Sequence, residues 1–344
     1  MTIKDLESCV AKLISVNKCQ KVQVLQSLWS DYGEISRFTT DESFSDPLGA
    51  SNSFIVKLIR PPLVVKHPRG WSSDFSHQRK LRSYQVEANF YQSWAPLCDE
   101  NCRVPSLIAK QTFVEKNQAL SISMIAMTDL DAAGFSHRAN QLSLTQTKVV
   151  LRWLAHFHAK FLNVSKAEVC KQLWPIGSYW HLATRMQEFN LMPESKLKLL
   201  AHEIDKLLNN CKYMTVIHGD AKVANFCFSA DFNHVAAVDF QYVGSGIGVK
   251  DVIYLLGSCL SEKQLMHNFD SLMNVYFDYL QQAITFYQPE IDPIAVCNEW
   301  RHHTDFSWAD FERFLVGWAA EHPKRNQFSQ DITARAIAKI SNIL

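Results

Sequence analysis

The stretch VIHGDAKVANF, residues 216–226, carries an acid and an amide at a spacing that suits phosphate chemistry. Asp220 ends an apolar strand pattern, and Asn225 comes five residues later. The next strand pattern ends in VDFQ, which contains Asp239. Carboxylate and amide oxygens are the hard ligands that Mg²⁺ prefers. A further carboxylate must orient the attacking hydroxyl and accept its proton late in a loose transition state. These three residues therefore predict phosphoryl transfer assisted by Mg²⁺.

We interpret the polar residues of this stretch as having separate roles. Asp220 suits the catalytic base and Asn225 with Asp239 suits the metal, because kinase catalytic loops use the same base-to-asparagine spacing. Lys222 could steady the transferred phosphoryl group, or it could be a solvated loop lysine. A strand-ending turn is the alternative for the whole motif, since Gly, Asp and Asn all favour turns. The VDF on its own strand favours the catalytic interpretation.

Such a site also needs a lysine for the α- and β-phosphates and a helix glutamate that holds it. FIVK places Lys57 at the end of an apolar strand pattern, and SYQVEANFY places Glu87 inside the next helical pattern. Lys66, in PPLVVKHP, is the alternative lysine. We favour Lys57 because it follows a hairpin loop in a regular strand, whereas prolines near Lys66 disfavour a position inside a sheet.

The elements that position these residues change in character along the chain. Strand patterns dominate before residue 128, and amphipathic helices dominate after it, so we predict an N-terminal strand-rich lobe over 1–128 and a C-terminal helix-rich lobe over 129–344. A long helix is predicted over 144–162, with Thr145 as its N-cap. Two short strands, joined by a tight loop, carry the catalytic motif.

Composition limits the class of partner. The chain has 344 residues and a net charge of +1, which argues for neither a nucleic-acid nor a membrane surface. The first residues lack the apolar core of a signal peptide, and no apolar run approaches the roughly 20 residues of a membrane span. Nine cysteines without an export signal predict reduced thiols in a cytoplasmic protein. Cys98 and Cys102 are interpreted as ordinary thiols, with half of a zinc site as the alternative.

Several segments of both predicted lobes resemble the ecdysteroid kinase-like branch of the aminoglycoside phosphotransferase and choline kinase superfamily. HGDxxxxN followed by DF is fairly specific for the superfamily, whereas DLDAAGF and YWHLATR indicate the branch. The segments lie between about residues 50 and 260, and they are FIVKLIRPP, SYQVEANFYQSWAP, MTDLDAAGF, LAHFHAKF, GSYWHLATR, VIHGDAKVANF and VDFQYVGSGIGVKDVIYLL.

This resemblance implies an α+β, two-lobed, protein-kinase-like fold. Its β-rich N-terminal lobe, 1–128, would bind the nucleotide, and its mainly helical C-terminal lobe, 129–344, would be catalytic and bind the substrate. It also implies that ATP and Mg²⁺ are the cofactors and that a small-molecule hydroxyl accepts the phosphate. The family pattern places adenine against the connector formed by Met127, Thr128, Asp129 and Leu130. It makes Asp251 a structural brace for the catalytic loop, and Asp251 considered alone would be a helix N-cap.

Two departures from the kinase pattern and two alternative functions accompany this prediction. The phosphate-covering turn would be SDYGE, which has one glycine, and Gln241 replaces the glycine of Asp-Phe-Gly. A catalytically silent nucleotide-binding scaffold is the main alternative, although the complete set of charged residues argues against it. A protein kinase is disfavoured because no Ala-Pro-Glu motif follows VDFQ.

The phosphate acceptor and the oligomeric state are not predicted. The C-terminal hundred residues mix acids, bases and aromatics, whereas a polycationic aminoglycoside would favour a clearer acidic surplus. Aromatic residues could line an apolar or cationic acceptor pocket, but helix packing is the favoured interpretation. These residues are Tyr179, Trp180, Trp300, Trp308 and Trp318.

Overall fold

The computed structural model describes residues 3–28, 31–46, 49–61, 73–114 and 121–342. The chain divides into two compact units. The first comprises residues 1–97, 104–137 and 227–230, and the second comprises residues 98–103, 138–226 and 231–344. The predicted lobe boundary near residue 128 stays a prediction. Lys66 lies outside the described residues.

The first unit is built on a five-stranded antiparallel sheet with the order β1-β2-β3-β5-β4. Its helices are α1 (Ile3–Leu13) and α2 (Ser73–Ser93), and its strands are β1 (Cys19–Ser27), β2 (Gly33–Asp46), β3 (Gly49–Ile59), β4 (Leu107–Val114) and β5 (Ser121–Thr128). Leu6 and Val10 of α1 are buried in a core cluster with Phe38, Phe54 and Met124 of the sheet. Central strand β3 pairs with β2 on one side and β5 on the other, which fixes the position of Lys57.

The second unit is mainly helical, as the amphipathic patterns predict. Its helices are α3 (Leu144–Lys160), α4 (Lys166–Gln172), α5 (Met186–Leu191), α6 (Lys196–Asn209), α7 (Val249–Cys259), α8 (Glu262–Tyr287), α9 (Pro293–His302), α10 (Thr304–Trp318) and α11 (Gln327–Ser341). Its core contains large aromatic side chains, and Trp180, Trp300 and Trp308 are buried, in agreement with the packing interpretation. No helix among the described residues is both long enough and apolar enough to cross a membrane.

Among the described residues there are four further short strands, namely β6 (Thr215–Ile217), β7 (Phe226–Phe228), β8 (Val235–Ala237) and β9 (Gly244–Gly246), and residues 227 and 228 of β7 belong to the first unit. The two predicted strands of the catalytic motif correspond to β6 and β8, but they do not pair with each other. Instead, β6 pairs antiparallel with β9. The prediction of a simple strand-loop-strand unit was therefore wrong, because the loop between β6 and β8 contains the additional strand β7.

Two details of helix capping differ from the sequence prediction. The N-cap of α3 is Ser143, not Thr145, and Ser143 forms a reciprocal capping box with Gln146. Thr145 therefore lies inside the first turn. Asp251 does not cap α7 either, because the helix begins at Val249 and Asp251 lies in its first turn. Its carboxylate is consequently available for other donors.

Candidate active site

The catalytic motif begins where β6 ends, at a backbone turn that only glycine fits. Gly219 has a φ of 78°, in the left-handed region that L side chains rarely adopt. A Cβ on Gly219 would lie 2.1 Å from the carbonyl oxygen of Tyr242 and 2.8 Å from the backbone nitrogen of Ser178. The turn therefore brings the chain into close backbone contact at the residue before Asp220.

Asp251 fixes this turn from the first turn of α7. Its Oδ2 accepts a hydrogen bond from the backbone N–H of His218 at 2.7 Å, and its Oδ1 accepts one from the N–H of Gly219 at 2.9 Å. Oδ2 also lies 2.9 Å from Nε2 of His158, whose Nδ1 lies 2.9 Å from the hydroxyl of Tyr276. Asp251 and His158 have no solvent exposure. Asp251 therefore holds the turn before Asp220, which is the position of the brace that the family resemblance implies.

The two carboxylate oxygens of Asp220 have different surroundings. Oδ2 accepts hydrogen bonds from Nζ of Lys222 at 2.7 Å and from Nδ2 of Asn225 at 3.1 Å. Oδ1 is buried and has no partner in hydrogen-bond geometry among the described residues, although the hydroxyl of Tyr254 lies close enough to interact with this carboxylate. Burial raises the pKa of Asp220, and the charge of Lys222 opposes that rise. The side chain is thus oriented through one oxygen, while the other is left as an acceptor.

Asn225 and Asp239 present further oxygen atoms beside this aspartate. Asn225 donates Nδ2 to the backbone oxygen of Asp220 at 2.8 Å, so the amide is oriented with Oδ1 as its remaining acceptor. Its backbone oxygen accepts from the N–H of Val238 at 2.9 Å, which ties the loop to the residue before Asp239. Asp239 has a φ of 68°, an uncommon left-handed conformation for a non-glycine residue.

Electrostatic effects show that Asp239 lies near Asp220 and Lys222. The charge of Asp239 contributes to the raised pKa of Asp220, after burial. Burial would lower the pKa of Lys222, but the charges of Asp220 and Asp239 outweigh it, so the pKa of Lys222 is raised. The four predicted catalytic residues of the second unit are therefore brought together, and Lys222 stays charged between two acids.

In the first unit, Lys57 and Glu87 form a buried ion pair. Nζ of Lys57 on β3 lies 2.6 Å from Oε2 of Glu87 on α2. Their side chains are only 3% and 2% exposed. Nζ also lies 5.5 Å from the ring centroid of Tyr84, one turn before Glu87 on the same helix. Since an unpaired buried charge is costly, this contact fixes the lysine relative to the sheet.

The connector after β5 is held by its own polar contacts. The hydroxyl of Thr128 accepts from the N–H of Ser106 at 3.0 Å, and the N–H of Thr128 donates to the backbone oxygen of Ser106 at 3.0 Å. The carboxylate of Asp129 accepts from Nε of Arg37 at 2.7 Å and from the hydroxyl of Ser53 at 2.6 Å. The side chain of Asp129 therefore holds the connector in place, and Met127 and Leu130 are buried beside it.

Comparison with known proteins gives the family. A scan against protein-family profiles matches the Ecdysteroid kinase-like family over residues 60–173 and 177–288. The chain belongs to the Ecdysteroid kinase-like family. No curated protein sequence matches the chain.

Solved structures give the fold of this ecdysteroid kinase-like chain. A choline kinase from Cryptosporidium parvum Iowa II matches with a TM-score of 0.56 at 12% identity, covering 99% of this chain and 96% of that one. A macrolide 2′-phosphotransferase from Brachybacterium faecium matches with a TM-score of 0.49 at 12% identity, covering 96% of each chain. A microcompartment-associated aminopropanol kinase matches with a TM-score of 0.48 at 11% identity, covering 98% of each chain. The choline kinase likeness confirms the predicted α+β, protein-kinase-like fold.

Sequence reasoning missed two residues of this ecdysteroid kinase-like chain that lie near Asp220. Burial raises the pKa of Tyr254 on α7, and so does the nearby charge of Asp220. Lys324 follows α10, and its Nζ lies 5.0 Å from the ring centroid of Tyr254. The helical pattern of α7 identifies Tyr254 as a helix residue but not its direction, and nothing in the sequence around Lys324 indicates a contact with this site.

The cysteine pair Cys98 and Cys102 does not form part of a metal site among the described residues. Neither Cys98 nor Cys102 forms a disulfide. Within the part of the chain that the structure describes, no group of three or more His, Cys, Asp or Glu side chains could hold a metal ion.

Proposed function

We propose that the protein is an ATP- and Mg²⁺-dependent phosphotransferase that moves the γ-phosphate of ATP to a hydroxyl of a small molecule. The observation that carries this proposal is the asymmetry of the Asp220 carboxylate. One oxygen is held by Lys222 and Asn225, and the other is buried with no partner in hydrogen-bond geometry among the described residues. A buried, oriented acceptor of this kind suits a hydroxyl that must lose its proton.

Asp220 would accept the acceptor hydroxyl at Oδ1 and orient its oxygen toward the γ-phosphorus. As the new oxygen–phosphorus bond forms, the bond from the γ-phosphorus to the β–γ bridging oxygen breaks, ADP leaves, and the hydroxyl proton passes to Asp220. In a loose transition state this proton moves late, so the main work of Asp220 is orientation. Lys222, which stays protonated, would stabilise the negative charge of the transferred group.

The residues present fit a magnesium ion. Asn225 Oδ1 and the carboxylate of Asp239 would hold it, and both are hard oxygen donors of the type that Mg²⁺ takes in small number from a protein. When bound, the ion would neutralise phosphate charge. In the first unit, Lys57 would bind the α- and β-phosphates, with Glu87 holding its ammonium group. The connector Met127, Thr128, Asp129 and Leu130 would contact adenine.

The test is a phosphate-transfer screen of hydroxylated metabolites with labelled ATP, with the Asp220→Asn variant as blank. Transfer to at least one alcohol by the wild-type protein, and to none by the variant, would support the proposal. A catalytically silent scaffold predicts a different result, namely a thermal shift with Mg·ATP but neither hydrolysis nor transfer. None of the nine cysteines forms a disulfide, which suits the cytoplasmic location that we propose for this reaction.

Replacing Lys57 by methionine should weaken nucleotide use. Because a charged donor to the phosphates is removed, we expect kcat/KM for ATP to fall by about 100-fold or more. The measurement is a steady-state titration of ATP with any acceptor found in the screen. Lys12→Met, an exposed position on α1, is the matched control and should leave the ATP titration unchanged.

The same change removes the ammonium group that faces the buried carboxylate of Glu87, so lost stability must be separated from lost binding. The double variant Lys57→Met with Glu87→Leu replaces the pair by apolar groups and should recover stability without recovering ATP use. Wild-type ATP kinetics in the single variant would contradict the assignment of Lys57.

A further inference from the structure

Lys324 is held in a defined position near Asp220. It lies in the segment 319–326, between α10 and α11, and its backbone N–H donates to Nδ1 of His322 at 3.2 Å. The next residue, Arg325, donates Nε to Glu312 of α10 at 2.8 Å. These contacts anchor the segment to α10. The side chain of Lys324 is partly buried, and its Nζ faces the rings of Tyr254 and Phe311, at 5.0 and 5.8 Å from their centroids.

The ammonium group of Lys324 has no hydrogen bond or ion pair with a described residue, although its basic neighbours do. Arg325 pairs with Glu312, while Arg335 and Lys339 both pair with Asp305. Burial lowers the pKa of Lys324 to about 8, and the charge of Asp220 opposes this effect only in part. A partly buried cation without a paired anion is costly, so this lysine is poised to accept an anionic partner.

Lys324 lies on the side of α7 that faces the loop of Asp220. Its Nζ lies 5.0 Å from the ring centroid of Tyr254. One turn later on α7, the hydroxyl of Ser258 accepts from the backbone N–H of Val223 in that loop at 2.8 Å. Lys324 therefore adds a second ammonium group near Asp220, besides that of Lys222 at 2.7 Å.

We propose that Lys324 binds an anionic group, a carboxylate or a phosphate ester, on the small molecule whose hydroxyl is phosphorylated. This inference rests on the proposed function, and it names the class of acceptor as acidic alcohols. Cationic amino alcohols are disfavoured, because they would meet two lysine ammonium groups beside Asp220. The rings of Tyr254, Phe311 and Trp180 pack on one another at centroid distances of 4.9–5.1 Å and give Lys324 a fixed apolar backing.

The test compares matched acceptors on matched variants. Gluconate is compared with glucose, and glycerol 3-phosphate with glycerol, together with every acceptor found in the screen. For the wild-type protein we expect the anionic member of each pair to bind and react better. Lys324→Met should lose about 10- to 100-fold in kcat/KM for anionic acceptors, as expected for a hydrogen bond to a charged group, and should change that of neutral acceptors by less than about threefold. Lys324→Arg should retain most of the preference.

The controls distinguish a role of Lys324 in binding the acceptor from a role in binding the nucleotide. Lys263→Met, at an exposed position of α8, should behave as the wild type. An equal loss for all acceptors with a raised KM for ATP would overturn the proposal, because it would place Lys324 on the nucleotide phosphates. A set of acceptors without any anionic member would also overturn it.

A binding measurement keeps the inference separate from catalysis. Calorimetric titration of the wild type and of Lys324→Met with gluconate and glycerol 3-phosphate requires no turnover. Weaker binding to Lys324→Met would support the role of Lys324 even if no phosphate were transferred, whereas equal binding would contradict that role even in an active kinase. Melting curves of both proteins establish that the variant is folded.

Discussion

Asp220→Asn should lower the rate of phosphate transfer by about 100- to 10,000-fold while leaving ATP binding nearly unchanged. The amide retains the size of the carboxylate and one carbonyl oxygen, but it cannot accept the hydroxyl proton. It also presents N–H groups toward Lys222 or toward the acceptor, which orients neither correctly. The rate is measured with labelled ATP and any acceptor identified in the screen, and ATP binding is measured by calorimetry.

A matched control defines the background of this experiment. Asp270→Asn makes the same chemical change at an exposed position of α8 and should transfer phosphate at the wild-type rate. A rate for Asp220→Asn within a few-fold of wild type would exclude Asp220 as the base. Loss of ATP binding in the same variant would indicate a folding defect, and melting curves distinguish that case.

Asp251→Ala should destabilise the second unit by about 3–5 kcal/mol, the usual cost of removing one partner from a buried charged network. The change leaves the backbone N–H groups of His218 and Gly219 without their acceptor and removes the partner of His158. All three donors are buried, so water cannot easily replace the carboxylate. Equilibrium unfolding in urea, followed by tryptophan fluorescence, measures the loss.

Asp251→Asn is the informative comparison for this prediction. One carbonyl oxygen remains, but the amide nitrogen faces an N–H donor, so we expect a loss of stability smaller than that of the alanine variant. Asp270→Ala, at its exposed site, should unfold at nearly the wild-type urea concentration. Wild-type stability of Asp251→Ala would show that the brace contributes nothing to folding.

The parts of the fold that the sequence predicts are those with a strong local pattern. The strand of Lys57 and the helix of Glu87 each have a clear periodicity, and the structure brings the two side chains within 2.6 Å. Strands β1 and β4 were not predicted. They are the two edge strands of the sheet, and only the first residue of β1 is buried, so this strand lacks the apolar alternation that marks a half-buried strand.

In the candidate site, too, the sequence predicts contacts between residues that are close along the chain but not contacts between distant ones. Asp220 and Asn225 are close in sequence, so a loop motif is enough to predict that they meet. The assignment of Asp251 as a brace came only through the family resemblance, because its donors lie more than 30 residues away in sequence. Lys324 is more remote still, and its position depends on how the segment after α10 is anchored through Arg325 and Glu312. Such tertiary contacts leave no periodic signal in the sequence.

The carboxylate of Asp251 also orders the turn at His218 and Gly219 before substrates bind. The amide protons of His218 and Gly219 are hydrogen-bonded before any substrate arrives, so they should be among the slowest to exchange with deuterated water. Adding nucleotide and acceptor should slow them little further. The turn before Asp220 would then need no reorganisation on binding, so no binding free energy would be lost in ordering this loop.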